Sequence, residues 1–187
     1  NSTVRGYKSI EDKKNSLTHL QTIFIDRLYK INKNWLMNFS LEIGPKTDID
    51  TIPALKDVYI TFLPGGDHKE TAEKAGELVR KGCNPIPHIP ARSIENNNHL
   101  KEYIDMCKDL GVKQWLVIGG SREPVGKFES SIQLLETGYF EGLKIGIAGH
   151  PEGSPDISDS ELEKAMQDKK PYADYICLLY TSDAADD

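Results

Sequence analysis

Five apolar runs in this chain finish on residue types that a buried strand does not need. Glu42 stands next to last in "WLMNFSLEI", Thr61 lies in "DVYITFL" and His88 in "NPIPHIPA", Gly119-Gly120-Ser121 follows "QWLVI", and His150 and Glu152 follow "KIGIAG". A carboxyl, a hydroxyl and imidazoles hold protons or hydrogen-bond a ligand, and glycines let a ligand approach the backbone. In "KIGIAGHPEGSPDI", residues 144–157, two ionisable side chains are fenced by prolines and glycines, as at a strand end turned toward a ligand. The chemistry is not that of a metal centre: no HxH, HExxH or carboxylate cluster stands at ligand spacing, and no metal is expected. Taken singly, each residue has a plainer reading: Glu42 as a rim carboxylate in a salt bridge, His88 as a structural histidine. Their common place at strand ends points to a site.

The elements that must position them alternate. Apolar, β-rich runs occur at 35–43, 57–63, 84–91, 114–120, 144–149 and, less completely, 173–179. Between them, "KETAEKAGELVRKG" puts Ala72, Ala75, Leu78 and Val79 on one helical face, and "NHLKEYIDMCKDLG" does so with Leu100, Ile104, Cys107 and Leu110. Gly82 and Gly111 suit left-handed caps behind these helices. Further helices are expected over roughly 130–142 and 158–170, the second capped by Ser158 or Ser160. Strands recurring with intervening helices about every 30 residues read as parallel βα units, in a doubly wound sheet or a (β/α)₈ barrel. The barrel is preferred, because it gathers successive strand ends around one mouth. The first turn, "EIGPKTDID", also lacks the GxGxxG of a dinucleotide fold.

Composition narrows the class. The 187 residues carry a net charge of −6 with 38% hydrophobic and 28% charged side chains, the profile of one globular domain. An acidic balance without a basic stripe argues against nucleic acid, and the "RK" and "DKK" pairs read as solvated helix faces. No apolar run approaches the roughly 20 residues of a membrane span, and residues 1–15 are polar and unlike a secretory signal. A cytoplasmic protein with no membrane partner is the expectation. Cys83, Cys107 and Cys177 are odd in number and widely spaced, so no disulfide framework is expected.

Five stretches, "FSLEIGPKT", "VYITFLPGGDHKETAEKA", "GCNPIPHIPARSI", "WLVIGGSREPVGKFESSIQLLETG" and "IGIAGHPEGSPDI", resemble in order and spacing the bacterial branch of the methylenetetrahydrofolate reductase family over residues 36–176. The resemblance implies a TIM barrel binding FAD along its strand C-termini. It also implies reduction of 5,10-methylenetetrahydrofolate to 5-methyltetrahydrofolate, with NADH or NADPH reducing the flavin, and assembly as a homo-oligomer. It places the catalytic general acid on Glu42, in the apolar setting of Phe39, Leu41 and Ile43. Flavin contacts fall on Thr61, His88, Ile118, Gly119, Gly120, Ser121, Phe128, Ala148, His150, Glu161 and Lys169, the last alternating with Asp168 by a one-residue shift. A pterin-dependent methyltransferase or demethylase component, or a non-catalytic folate-binding barrel, stays open as the alternative.

This chain departs from the family's pattern in places. Ser121 stands where many relatives carry an Asp near the flavin pyrimidine, His150 where many have an aromatic, and Gly44-Pro45 where many have a double proline. After "PYADYI" the family continues through further strand–helix repeats, whereas "CLLYTSDAADD" follows here. That segment resembles translated adapter sequence. The resulting division is an N-terminal helical extension at 1–34, a partial TIM barrel at 35–176 holding the first five to six βα units, and a non-native tail at 177–187. Such a fragment is expected to be inactive alone.

Overall fold

The computed structural model of the chain describes residues 40–53, 55–151, 153–154 and 157–178. The extension expected at 1–34, the first residues of the "WLMNFSLEI" run, Glu152 and 179–187 lie outside the described residues. Six strands, β1 (Ser40–Ile43), β2 (Asp57–Ile60), β3 (Asn84–Pro90), β4 (Gln114–Ile118), β5 (Lys144–Gly149) and β6 (Tyr175–Leu178), form one sheet. Four helices follow β2 to β5 in turn: α1 (His68–Arg80), α2 (Asn97–Asp109), α3 (Ser131–Leu135) and α4 (Asp159–Lys169). A 3-10 turn at Ile49–Thr51 takes the place of a helix between β1 and β2. None of the described helices is long and apolar enough to cross a membrane.

All pairings are parallel and the order is β1-β2-β3-β4-β5-β6. Among the described residues the order never reverses, and the switch point of a doubly wound fold is absent from them. Register sorts the side chains. Val58, Ile60, Ile89, Trp115, Val117, Ile145 and Ile147 enter the buried core, with Ala72, Ala75 and Leu78 of α1 and Leu100, Tyr103, Ile104 and Cys107 of α2. Each fully buried Leu or Ile among them contributes about 1.5–3 kcal/mol. The opposite face carries Glu42, Tyr59, Asn84, His88, Gln114, Gly146, Tyr175 and Cys177 in register.

That second face is concave. The Tyr59 phenol of β2 feels the Tyr175 phenol of β6, and the Cys177 thiol of β6 feels the Glu42 charge from β1. In a flat sheet β2 and β6 would lie about 19 Å apart, beyond side-chain reach. The six strands therefore curl into half a barrel. Gly146 makes room for the curl, since a Cβ there would sit 2.2 Å from Cζ of Tyr175.

Local signals explain the helix ends. Asp67, Asn96 and Ser158 cap α1, α2 and α4 by accepting backbone N–H bonds. Gly82 and Gly111 take φ of 86° and 91° behind α1 and α2. The helix expected across 130–142 stops at Leu135. The Thr137 hydroxyl takes the Leu134 carbonyl at 2.6 Å, offering the backbone a turn in place of a further helical bond. β6 runs two residues into the segment read as foreign, with Cys177 and Leu178 paired to Ala148 and Gly149.

Candidate functional site

The first two strands bring a carboxyl and a hydroxyl together. Thr61, just past β2, donates its hydroxyl to Glu42 Oε1 at 3.0 Å. His88 lies one strand further on, its Nδ1 4.0 Å from the same oxygen, close enough for charge to be felt but too far for a hydrogen bond. Strand pleating explains the grouping: Glu42 is in register with Tyr59, and Tyr59 lies two residues before Thr61 on the same face.

Burial sets the charges. The Glu42 carboxyl is raised above its ordinary 4.5, because lost hydration outweighs the Thr61 bond that lowers it. His88 is only 6% exposed, and burial drives its pKa down to about 4, so its ring is neutral at neutral pH. Its Nε2 is buried without a hydrogen-bond partner. The Tyr103 hydroxyl donates to the His88 carbonyl at 3.1 Å and ties this strand end to α2. The site thus holds a carboxyl biased toward its acid form beside a neutral imidazole. Oε1 is taken by the Thr61 hydroxyl.

Tyr59 is the functional-site residue that motif reading passes over. Its ring meets His88 edge-on at 6.1 Å, and burial raises its phenol. The signal was the two-residue period of "DVYIT", which puts Asp57, Tyr59 and Thr61 on one face.

The end of β4 turns toward the loop after β3. Gly119 presents its carbonyl to Arg92 N at 3.0 Å, and open space lies where its Cβ would be. Gly120 adopts φ 91°, with Pro90 Cβ 3.2 Å from its own missing Cβ, so a side chain here would be both strained and crowded. Ile118 is half-buried and Ser121 is exposed. Phe128 is elsewhere: its ring is 3% exposed in the hydrophobic core, with Lys127 Nζ 5.0 Å above it.

Where β5 ends against α4, Ala148, His150, Leu162, Glu163, Ala165, Met166 and Lys169 line a cavity of about 220 Å³. Burial lowers the Lys169 ammonium from its ordinary value. Asp168, the alternative at that position, is exposed and absent from the lining. A more open hollow of about 400 Å³ continues past His150 along Pro151, Gly153, Asp159 and Leu162. Ala148 is the register partner of Cys177, whose thiol feels Glu42, so cavity and carboxyl belong to the same end of the curl. Glu161 is exposed and closes the capping box of α4, accepting the Ser158 N–H at 3.0 Å.

The structure therefore groups Glu42, Thr61 and His88, groups Ala148, His150 and Lys169, and sets Ile118 to Ser121 at the strand end between them. Phe128 serves the core and Glu161 a helix cap. Among the described residues, no set of three or more His, Cys, Asp or Glu is placed to hold a metal. No family model matches the chain.

Proposed function

We propose that the chain is part of a flavin-dependent TIM barrel that reduces 5,10-methylenetetrahydrofolate with electrons from NADH or NADPH. The observation that carries the reading is the Glu42 carboxyl, held by Thr61 beside neutral His88 and raised toward its acid form. Consecutive parallel strand order and the curl support the barrel; β1 and β6 do not pair with each other among the described residues, and an eight-stranded barrel closes that gap with two more strands.

The residues present suit FAD. His88 Nε2 is a buried polar atom without a partner, the missing Gly119 Cβ faces open space, and the His150–Lys169 cavity offers donors for an anionic diphosphate. When bound, FAD accepts hydride from the nicotinamide and supplies it to the folate carbon. The protein's own task is the proton. Reduction requires the substrate's five-membered ring to open: one C–N bond breaks, its electron pair stays on the departing nitrogen, and that nitrogen takes the proton from Glu42. The remaining C=N⁺ then accepts hydride to become the methyl group. Thr61 orients the carboxyl for this delivery. Neutral His88 leaves the acid form undisturbed, where an imidazolium would pull the proton off.

The test uses the chain completed to eight strand–helix units with the C-terminal units of a reductase of that family. The expected product is a yellow protein absorbing at about 450 nm, bleached by NADH or NADPH without oxygen and recoloured by 5,10-methylenetetrahydrofolate. A colourless protein that binds a pterin would replace this reading with a pterin-dependent methyltransferase.

A further inference from the structure

Outside this site, two histidines meet between the N-terminal ends of α1 and α2. His68 opens α1 and is 8% exposed; His99 stands in the first turn of α2. His68 Nδ1 lies 3.0 Å from His99 Nε2, with 4.6 Å between ring centroids. Their neighbours fix the tautomers. The Glu95 backbone N–H donates to His99 Nδ1 at 3.2 Å, so that nitrogen bears no proton. Neutral His99 therefore carries its hydrogen on Nε2 and donates it to His68 Nδ1. His68 carries its own on Nε2, which makes no hydrogen bond and has Glu102 Oε1 3.7 Å away.

We infer that this imidazole pair is a proton-operated latch between α1 and α2, closed only while both rings are neutral. A proton from solvent has two landing places, and each breaks a bond. On His99 Nδ1 it displaces the Glu95 N–H. On His68 Nδ1 it sets two donors face to face. His68 also opens α1, where the peptide dipoles disfavour positive charge. The charged and titratable groups facing His68 are Asp67 and Lys69 on α1 and Glu102, His99 and Tyr103 on α2. Asp67 Oδ1, 3.3 Å from His68 Nδ1, is already engaged as the α1 cap, accepting from Lys69 N at 2.9 Å. Glu102 is 55% exposed and shared with the Lys69 ammonium at 3.7 Å. Neither carboxylate offsets the burial and the second imidazole that hold His68 below its ordinary 6.5. The latch reaches the strand ends through Tyr103, whose ring packs on His68 at 5.6 Å while its hydroxyl holds the His88 carbonyl.

Because the folded His68 resists the proton, the unfolded chain takes it first. The latch's stabilisation is complete above pH 6.5 and is lost as the pH falls below that value. The test is the urea midpoint of the full chain from about pH 8 to about pH 5, beside His68→Gln and His99→Gln, which hydrogen-bond but do not titrate. The folding constant of the unaltered chain is expected to fall faster than that of either variant, by up to about tenfold per pH unit, the slope of one proton. His88 and Glu42 titrate alike in all three chains and cancel. Parallel profiles would overturn the latch. Should the glutamine variants not fold, ¹⁵N shifts of the unaltered chain's imidazoles at neutral pH decide: both rings neutral with hydrogen on Nε2 is the expected pattern, and a charged ring or an Nδ1–H tautomer at either histidine refutes it.

Discussion

At the scale of single residues, the site sets function against stability, and pH exposes the conflict. Glu42 has a folded pKa above its ordinary 4.5. A raised group favours the fold below the unfolded pKa and loses that contribution as pH rises through the folded value. Ionised Glu42 is thus a liability at neutral pH, and Glu42→Gln should raise the urea midpoint at pH 7, the gain vanishing as the pH approaches 4.5. A loss at pH 7 would mean that the carboxylate is well paired in the fold. His88 runs the other way. Its depressed pKa, about 4 against 6.5, means the unfolded chain protonates first, so stability is complete above 6.5 and drains away between 6.5 and 4. The loss amounts to about 3 kcal/mol, and His88→Leu should remove it from the pH profile of the urea midpoint.

At the scale of elements, two positions separate packing roles from ligand roles. Gly146→Ala puts a Cβ 2.2 Å from the Tyr175 ring and should cost about 1–3 kcal/mol on urea unfolding. Tyr175→Leu in the same chain should recover most of it; an unchanged loss would place the clash elsewhere. Glu161→Ala opens the capping box and should fray α4 by about 1 kcal/mol, seen as faster amide exchange in its first turn. These positions also show what was legible in the sequence. The alternation of strands with the two long helices and their glycine stops followed from periodicity, because α1 and α2 each bury one continuous apolar face. The meeting of Thr61 with Glu42 could be expected only as a shared rim, since register depends on pairings 19 residues apart in the chain. Phe128 and Glu161 show the limit. A phenylalanine beside a glycine-rich turn and a glutamate in a helix's first turn look alike in sequence whether they face a ligand, pack in a core or cap a helix, and the packed neighbours supply the core contact of Phe128 and the cap of Glu161. The extent of α3 was illegible for a related reason, the Thr137 hydroxyl competing locally for a helical carbonyl.

At the scale of the whole molecule, β1 and β6 are the outer strands of the half-barrel, each with one strand neighbour among the described residues. Ile176 and Leu178 of β6 are 50% and 51% exposed, and edge strands with apolar faces template association. The 187-residue chain should therefore associate with rising concentration in light scattering, and joint Ile176→Lys and Leu178→Lys substitution should shift it toward monomer. The central claim, that Glu42 is the proton donor of a flavin-dependent folate reduction, is tested most directly by separating the two half-reactions in the completed barrel. Anaerobic stopped-flow absorbance at about 450 nm would follow flavin reduction by NADH or NADPH, then reoxidation by 5,10-methylenetetrahydrofolate, in the Glu42 and Glu42→Gln proteins. The account predicts nearly equal reduction rates and a reoxidation slowed about 10²-fold or more, the scale of a lost general acid. Equal slowing of both steps, or of neither, would contradict it.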